Sequence, residues 1–392
     1  MKTAVVIIPT YNERDNIAET IGAVFAATKK VANWSVHILV VDDTSPDKTA
    51  EVVQKLQKTE KKLHLLVNPN KVGLGGAYLK GMAMAFSKLK ADVVFEFDAD
   101  LSHPPEKLPA FLALIDEGRD MVLGTRYSDG GGIPADWGLH RKFMSIVGNL
   151  IIMMVFTNAS IRDWTSGYRA ITKKVYDAVH PLLHSERFSG YTFQIGFLYN
   201  AVRKGFSIDF VPYQFRDRVK GKSKIGPEYM KNTLIYILKV RLQEIISNRI
   251  FKFVVVGGIG ALIQFVTLAI FRQLMAYTLA YFLSAEVAVG SNFVLSNMWT
   301  FNDRSLTLPE IPKKFLTFNL ASFGSVGIQT VLATVGKIVI GDTVPLFAIP
   351  FSALVLGKAF IFDTGFLFLV IGILVGMVWN FTAYTKIVWK QK

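Results

Sequence analysis

Residues 93–100 read Val-Val-Phe-Glu-Phe-Asp-Ala-Asp, a largely apolar strand that runs directly into two carboxylates. Such a run is typical of a strand buried on both faces of a parallel sheet. Two carboxylates on either side of one small residue can hold a hard divalent cation together with a diphosphate. A surface turn accounts for most D-x-D pairs, but the buried strand before Asp98 and Asp100 favours a metal site.

Three strand-loop-helix units precede this segment. Apolar strands are predicted at residues 4–8, 36–41 and 63–67, and each is followed by a polar segment and a helix, the third helix reaching residue 90. This alternation predicts an α/β domain with a mostly parallel sheet between helices. Ligands of such sheets bind beyond the carboxyl ends of the strands. We therefore expect one ligand site where the polar segments meet, at residues 9–13, 42–47, 70–77 and 98–100.

Two further features of these segments have low specificity. Gly73, Gly75 and Gly76 have neither dinucleotide-binding nor P-loop spacing, and we interpret them as letting the chain turn close to a nucleotide. His103 stands alone before two prolines, so we interpret it as a loop or capping residue rather than a metal ligand.

Charge and hydropathy divide the chain near residue 250. Residues 1–249 contain 34 Lys and Arg and 25 Asp and Glu, whereas residues 250–392 contain 10 and 5. The first part has the charge density of a soluble domain, and only the second has that of a membrane-embedded one. The 51% of hydrophobic residues excludes a disordered chain, and the lack of cysteine excludes a disulfide scaffold, a zinc–thiolate site and a cysteine nucleophile.

Four apolar stretches in the second part are each near the ~20 residues that a bilayer requires. They are residues 253–271, 279–299, 315–340 and 366–388. Buried soluble helices are the alternative, which the short polar connections disfavour. Residues 344–362 are also apolar but include Pro345, Pro350 and Lys358, so this segment is a re-entrant or interfacial piece or part of a fifth span.

The distribution of positive charge predicts the orientation in the membrane. Nine Lys and Arg lie before the first span, between the second and third spans and after the fourth, against three in the opposite loops. We expect a multi-pass membrane protein with both termini and the soluble domain in the cytoplasm. Residues 227–246 combine apolar and basic side chains, which predicts an amphipathic helix on the membrane surface. An ordinary surface helix of the soluble domain is the alternative.

Three basic clusters in the soluble part suit a phosphate ligand, because Arg binds phosphate bidentately and Lys as a point charge. They are residues 124–127, 140–142 and 215–224. A solvated basic face is the simplest alternative. No nucleic-acid-binding motif accompanies the clusters, and the last one immediately precedes the interfacial helix. A lipid phosphate is therefore favoured, and nucleic acid is not expected as a partner.

These motifs, in order over residues 5–226, resemble the polyprenyl- and dolichyl-phosphate mannose synthases, which are GT-A-fold enzymes of glycosyltransferase family 2. The membrane part resembles a GtrA-like four-helix domain by architecture. The resemblance implies a Rossmann-like GT-A catalytic domain at residues 1–226, an interfacial helix or linker at 227–249 and a four-helix transmembrane domain at 250–392. The fused domain favours a prokaryotic cell membrane.

Carried over to this chain, the resemblance implies a set of site residues. The nucleotide is held by Pro9, Tyr11, Glu13, Val41, Asp43, Phe97 and Asp98. Asp98, Asp100 and Ser102 are expected to ligate Mg²⁺ or Mn²⁺, and Asp98, Asp100 and Arg126 are expected to be catalytic. The acceptor phosphate is expected at Arg126, Arg141, Ser145, Arg218 and Lys224, beside a loop at residues 163–169. One departure is Gly196, where related sequences often have Glu, so a carboxylate that would orient nearby basic groups is missing.

The function that the resemblance implies is transfer of mannose from GDP-mannose to a membrane polyprenyl or dolichyl phosphate by an inverting single displacement. Three alternatives remain from the sequence. The same reaction can use another donor, UDP-glucose or a UDP-aminosugar. The four spans can translocate the glycosylated lipid, for which Glu286 is the one acidic side chain inside a span. The third is a nucleotide-sugar-binding regulator without turnover.

Overall fold

The computed structural model describes residues 1–183, 191–217, 227–341, 344–348 and 361–390. The chain forms two compact units, Met1–Arg241 and Leu242–Lys392, each with its own hydrophobic core. The catalytic-domain boundary that the sequence predicts at residue 226 falls outside the described ranges.

Strands and helices alternate in the first unit. The strands are β1 (Lys2–Thr10), β2 (Trp34–Asp42), β3 (Leu63–Val67), β4 (Val93–Glu96), β5 (Met121–Thr125), β6 (Arg169–Thr172) and β7 (Ile208–Pro212). The helices are α1 (Arg14–Thr28), α2 (Thr49–Leu56), α3 (Gly73–Ser87), α4 (Leu108–Asp116), α5 (Leu139–Val155), α6 (Lys173–Val179) and α7 (Tyr191–Arg203). Helix α8 (Pro227–Ser247) follows and continues into the second unit.

The strands form one sheet in the order β3-β2-β1-β4-β6-β5-β7. β1 pairs in parallel with β2 and β4, and β2 pairs in parallel with β3. β6 lies antiparallel between β4 and β5, and β7 is parallel to β5. The mostly parallel GT-A-type sheet that the sequence predicts is confirmed. The antiparallel strand β6 was not predicted.

Both faces of the sheet are covered, which explains the continuous apolar runs of its central strands. Val5 and Ile7 of β1 face the core formed with α3, α5 and α7, while the alternate residues Val6 and Ile8 face the core formed with α1 and α4. All four side chains are fully buried. Burial of a side chain of this size contributes about 1.5–3 kcal/mol.

Several strand and helix boundaries in this unit differ from the prediction. β1 and β2 extend to Thr10 and Asp42, because their backbone pairing continues into the polar segments. α3 ends at Ser87 and not at residue 90. Lys90 has a φ of 54° and the Ala91 N–H donates to the carbonyl of residue 85, so the chain turns out of the helix there.

The second unit is a group of long apolar helices. They are α9 (Arg249–Phe271), α10 (Tyr277–Leu295), α11 (Ile311–Val339) and α12 (Thr364–Ala383), with π-helical turns after α10 and α12 at Ser296–Thr300 and Tyr384–Val388. Within the described part of the chain, four segments are long and apolar enough to cross a bilayer: Arg249–Phe271, Leu279–Thr300, Leu308–Val339 and Val370–Val388. In each segment, no more than 28% of the most apolar 18-residue stretch is buried by the rest of the protein. Apolar surface exposed on this scale requires a lipid environment.

The helices of this unit approach one another closely at small residues, as is usual in membranes. A Cβ at Gly336 of α11 would lie 2.7 Å from the ring of Phe368 in α12. The third span begins at Leu308 and not at residue 315, because a 3-10 turn at Leu308–Glu310 and the first turn of α11 precede the apolar run. Of the apolar segment 344–362, the structure describes only the antiparallel strands β8 (Pro345–Ala348) and β9 (Ile361–Asp363).

Candidate active site

The polar segments after β1 and β2 are joined at the carboxyl edge of the sheet. Thr10 is the register partner of Asp42. The Thr10 hydroxyl donates to Asp42 Oδ2 at 2.9 Å, and the Ser45 hydroxyl donates to the same oxygen at 2.6 Å. Asp42 is 1% exposed, so its carboxylate fixes the two loops and is not available to a ligand.

The neighbouring carboxylate, Asp43, positions the glycine-rich segment before α3. Asn68 donates to Asp43 Oδ1 at 2.7 Å, and the backbone N–H groups of Val72 and Gly73 donate to Oδ2 at 3.1 and 2.8 Å. Gly73 has a φ of +75°, a conformation that favours glycine. The sequence predicted that three glycines turn the chain here. Gly73 does so, and Asp43 holds this turn in place, whereas Gly75 and Gly76 lie within α3.

Tyr11 and Lys71 form one wall of this edge. The Lys71 ammonium lies 3.6 Å from the centre of the Tyr11 ring, which is the geometry of a cation–π contact. Glu13 accepts a hydrogen bond from the Asn16 side chain at 2.8 Å and its N–H donates to Thr49. The wall thus offers an aromatic face and a cation, two groups that suit a base and a phosphate.

Two predicted nucleotide-binding residues have fully buried side chains. Val41 packs in the core beneath the sheet edge, and Phe97 packs edge-on against His103 and Tyr168 at 5.6 and 5.5 Å between ring centres. Only their backbone atoms can therefore meet a ligand. Pro9 is partly exposed at the end of β1.

The segment with Asp98 and Asp100 is fixed on both sides. The Thr20 hydroxyl of α1 donates to the Ala99 carbonyl at 2.7 Å. The Ser102 N–H donates to Asp100 Oδ1 at 3.1 Å, which closes a tight turn through Leu101, whose φ is 59°. A positive φ at leucine is strained, and such strain persists where surrounding contacts impose it. These contacts hold both carboxylates at the sheet edge.

His103 lies behind this turn and is 2% exposed. The Asp98 N–H donates to His103 Nδ1 at 3.1 Å, so the neutral ring carries its proton on Nε2, which lies 3.6 Å from Asp98 Oδ2. Burial lowers the pKa of His103 despite the nearby carboxylates. We interpret His103 as a positioning residue for Asp98, which refines the capping role expected from the sequence.

The donor set fits a hard divalent cation. Asp98 keeps 39% of its side chain exposed, whereas Ser102 in the same turn is only 2% exposed. In the described part of the chain no three His, Asp or Glu side chains cluster closely enough to hold a metal alone. In nucleotide sites, Mg²⁺ is usually bound by one or two carboxylates, and diphosphate oxygens and water fill its remaining coordination positions.

A buried arginine lies next to this edge. Arg126, directly after β5, donates from Nε and Nη2 to the two oxygens of Asp163, and its Nη2 also donates to the Thr165 hydroxyl at 2.7 Å. Asp163 is fully buried and Arg126 is 8% exposed. The segment that follows β7 contacts both groups: the Phe215 ring lies 5.8 Å from the Arg126 guanidinium, and the Arg216 N–H lies 3.5 Å from the Ser102 carbonyl. The carboxylate pair and the arginine therefore belong to one site.

The other predicted acceptor residues lie on α5 or beyond the described ranges. Ser145 shares a hydrogen bond with the Tyr127 hydroxyl, one residue after Arg126. Arg141 donates to both oxygens of Asp217 at 3.2 and 3.0 Å and lies 3.7 Å over the Trp137 ring. Asp217 and Trp137 were not predicted from the sequence. Arg218 and Lys224 lie outside the described residues.

Comparison with known proteins assigns a family to this site. Residues 5–179 match glycosyl transferase family 2, and residues 252–389 match the GtrA/DPMS transmembrane domain. A polyprenol monophosphomannose synthase from Mycolicibacterium smegmatis is 36% identical over 233 residues, 59% of this chain and 84% of that protein. A dolichol-phosphate mannosyltransferase from Pyrococcus furiosus is 31% identical over 324 residues, 81% of this chain and 86% of that protein. The chain belongs to the polyprenyl-phosphate mannose synthase family.

The resemblance drawn from the sequence motifs is thereby confirmed for both parts of the chain, and this member of the mannose synthase family is a glycosyltransferase. Among solved structures, mannosyl-3-phosphoglycerate synthase from Rubrobacter xylanophilus aligns with a TM-score of 0.46 at 17% identity. The alignment covers 62% of this chain and 74% of that one.

This mannose synthase family member also has a buried ion pair that was not predicted from the sequence. Glu96 and Arg169 are register partners on the antiparallel strands β4 and β6, both fully buried, with Arg169 Nε 3.8 Å from Glu96 Oε2. Burial raises the pKa of Glu96 to about 7, and Asp98 adds to this while Arg169 opposes it. The only sequence signal was a glutamate inside an apolar strand.

Arg169 connects the loop around Asp163 to α7. Its guanidinium donates to the carbonyl oxygens of Ser166 at 2.8 Å, Gln194 at 2.6 Å and Trp164 at 3.3 Å. Arg169 thereby holds the segment that carries Asp163, and Asp163 in turn holds Arg126. The site therefore contains a chain of positioned charges that runs from the core to the sheet edge.

Proposed function

We propose that the protein transfers mannose from GDP-mannose to the phosphate of a membrane polyprenyl or dolichyl phosphate, with inversion at the anomeric carbon. The observation that carries this proposal is the placement of Arg126 close to the Asp98–Asp100 turn, since the segment Phe215–Arg216 contacts both. A nucleotide diphosphate and an acceptor phosphate require that arrangement of a carboxylate pair and a fixed arginine. The two relatives named above as mannosyl-transferring synthases support the choice of sugar and acceptor.

The residues that follow β1, β2, β3 and β4 would position the nucleotide-sugar donor. Tyr11 and Lys71 would face the base and phosphates, and the turn that Asp43 fixes would let the backbone approach them. Asp98 and Asp100, with Ser102, would hold Mg²⁺ or Mn²⁺. A bound cation of this kind neutralises the charge that develops on the departing diphosphate.

Arg126 and its neighbours would fix the nucleophile, which is the phosphate of the acceptor lipid. A lipid monophosphate is already ionised near pH 7, so attack requires orientation rather than a strong general base. Asp163 holds Nε and Nη2 of Arg126, and among the described residues nothing accepts a hydrogen bond from Nη1. We assign Nη1 to the acceptor phosphate, with Arg141, Ser145, Arg218 and Lys224 completing its site.

We propose the following organisation in the cell. Residues 1–226 form the catalytic domain, 227–249 the interfacial helix and 250–392 the transmembrane domain, with catalysis and both termini on the cytoplasmic face of a prokaryotic cell membrane. Exposed apolar side chains on α8 support membrane contact, among them Leu234, Ile235, Leu238 and Leu242. Lys231, Lys239 and Arg241 of the same helix suit anionic headgroups.

The test is transfer of label into lipid by the full-length protein with polyprenyl phosphate and Mn²⁺. Label from GDP-mannose, and not from UDP-glucose or UDP-N-acetylglucosamine, is the expected result. Label from a UDP-sugar alone would show that the proposed donor is wrong and would leave the proposed acceptor unchanged. Absence of transfer from every donor, with nucleotide binding intact, would overturn the enzymatic proposal and favour a translocating or regulatory protein.

A further inference from the structure

The second unit has a basic pocket at one end of its helices. It has a volume of about 540 Å³ and is lined by Arg304, Thr385, Lys386 and Lys390. Lys386 and Lys390 are exposed, and neither donates a hydrogen bond to another residue in the described ranges. The hydroxyl of Thr385 is buried without a hydrogen-bond partner there. The lining thus offers three cations and a hydroxyl donor to an anion.

Two acidic side chains lie near this pocket, and one of them, Asp303, pairs with its residue Arg304. Asp303 accepts a short hydrogen bond from Arg249 at 2.7 Å and lies 3.4 Å from Arg304 Nε. Glu310 caps the turn at Thr307, accepting from its N–H and its hydroxyl. Neither acidic side chain lines the pocket, so Lys386 and Lys390 remain uncompensated by them.

An apolar groove of about 520 Å³ lies on the same unit, between α10 and α11. Its lining includes Phe293, Val294, Met298, Ile311 and Phe315. Val294 and Met298 are exposed, as expected for surface that faces hydrocarbon.

Trp389 joins the pocket to the groove. Its indole N–H donates to Asn297, which lines the groove, and its carbonyl accepts from Arg304, which lines the pocket. Its ring is 5.6 Å from that of Phe293 and is 1% exposed. Trp389 lines neither of them but contacts one lining residue of each, so the basic pocket and the apolar groove are neighbours, an arrangement complementary to an anionic amphiphile.

We propose that this end of the membrane unit is a second binding site for a polyprenyl monophosphate, with its phosphate among Arg304, Lys386 and Lys390 and its chain in the groove. The identity of the ligand rests on the proposed function, which makes such a lipid the acceptor. One groove suits a single hydrocarbon chain, whereas a phospholipid has two. A monophosphate carries a charge of about −1.5 to −2 near pH 7, which suits the two uncompensated lysines.

The test is binding of geranylgeranyl monophosphate to the full-length protein in detergent, counted by native mass spectrometry in the absence of donor. We expect two ligands per wild-type chain, one at the active site and one at the second site. Lys386→Gln combined with Lys390→Gln should weaken one of the two about 30-fold, because each interfacial lysine attracts an anionic lipid phosphate. The charge-matched control, Lys204→Gln with Lys313→Gln, changes two exposed lysines that do not line the pocket and should keep both ligands.

Three outcomes would overturn the site: two ligands retained by the Lys386→Gln, Lys390→Gln variant, equal displacement by inorganic phosphate alone, or equally tight binding of phosphatidylglycerol. The last would make it a general anionic-lipid site. Because binding is counted without donor, loss of one ligand in the double variant supports the site even if no sugar is transferred. If the Lys386→Gln, Lys390→Gln variant transfers sugar and still binds two ligands, the proposed function is supported and the second-site proposal is wrong.

Discussion

Asp163 binds Arg126 through two parallel hydrogen bonds of 2.8 Å, from Nε to Oδ2 and from Nη2 to Oδ1. Burial alone would raise the pKa of Asp163, but the adjacent guanidinium lowers it, and the same attraction raises the pKa of Arg126. Both groups therefore stay charged near neutral pH. The pair holds the guanidinium in one orientation before any ligand arrives, which is the pre-organisation that phosphate binding requires.

Replacement of Asp163 should reveal this role in stability as well as in activity. Asp163→Asn leaves a buried arginine without its counter-ion, and loss of one partner of such a pair costs about 3–5 kcal/mol. We expect a lower unfolding temperature and loss of sugar transfer. The matched control is Asp209→Asn, which removes the exposed pair with Arg119 and should change stability by less than about 1 kcal/mol. Equal effects of the two substitutions on unfolding would contradict the assignment.

The metal proposal has a direct test at Asp100. Asp100→Asn keeps the oxygen that accepts from the Ser102 N–H but removes the negative charge, so the turn should persist and cation affinity should fall. Electron paramagnetic resonance of Mn²⁺ titrated with the full-length protein and GDP measures this affinity without turnover. We expect at least a tenfold loss, and chelation by EDTA should abolish transfer by the wild type. Asp177→Asn, at an exposed i,i+4 pair on α6, is the control. Unchanged Mn²⁺ binding in Asp100→Asn would remove this carboxylate from the metal site.

The sequence located the site because parallel strands bring their following loops to one edge, whatever the details of packing. Asp43, Asp98 and Asp100 all follow strands that the hydrophobic pattern identifies. The partners of these residues were harder to predict. Asp163 is 37 positions from Arg126 and meets it only because β6 is inserted next to β5 in the sheet.

Short antiparallel strands among parallel ones leave little trace in a single sequence. β6 has four residues and begins with Arg169, so its periodicity does not reveal a strand. The pair between Glu96 and Arg169 therefore depends on a sheet order that the pattern does not encode. Arg141 and Asp217 are likewise far apart along the chain, so the sequence pattern does not predict their contact.

A histidine pair on the sheet should make stability depend on pH. His37 Nδ1 and His64 Nε2 lie 3.0 Å apart on β2 and β3, with the Ser35 hydroxyl on the other nitrogen of His37. Burial lowers the pKa of both rings, and for His37 the neighbouring His64 and Lys62 lower it further. The unfolded chain then binds more protons than the folded one at acid pH, so this stabilisation is present above about pH 6.5 and is lost as the pH falls.

The measurement for this pair is the unfolding temperature of the full-length protein at pH 7.5 and pH 5.5. The wild type should lose more stability between these values than a His37→Gln, His64→Gln double variant, which cannot be protonated at either position. The exposed residue His140, which lies outside this pair, gives the control substitution His140→Gln, which should retain the wild-type pH dependence. If all three proteins lost the same amount of stability between pH 7.5 and pH 5.5, protonation of the pair would not be coupled to unfolding.

Two glycines in helices of the first unit should respond oppositely to alanine. A Cβ at Gly81 of α3 would lie 2.7 Å from Ile7 and 3.1 Å from Val41, both fully buried on strands that end at the active site. Overpacking of this kind costs about 1–3 kcal/mol. A Cβ at Gly22 of α1 meets nothing within 4 Å, so Gly22→Ala should gain about 0.5–1 kcal/mol from helix propensity alone.

Chemical unfolding followed by tryptophan fluorescence would compare Gly81→Ala and Gly22→Ala with the wild type. Because Ile7 and Val41 precede the loops that hold Asp43 and Tyr11, Gly81→Ala should also weaken GDP binding, whereas Gly22→Ala should leave it unchanged. A Gly81→Ala protein as stable as Gly22→Ala would mean that α3 moves away from β1 without cost. In that case the close approach of helix and strand would not be what fixes the nucleotide edge of the sheet.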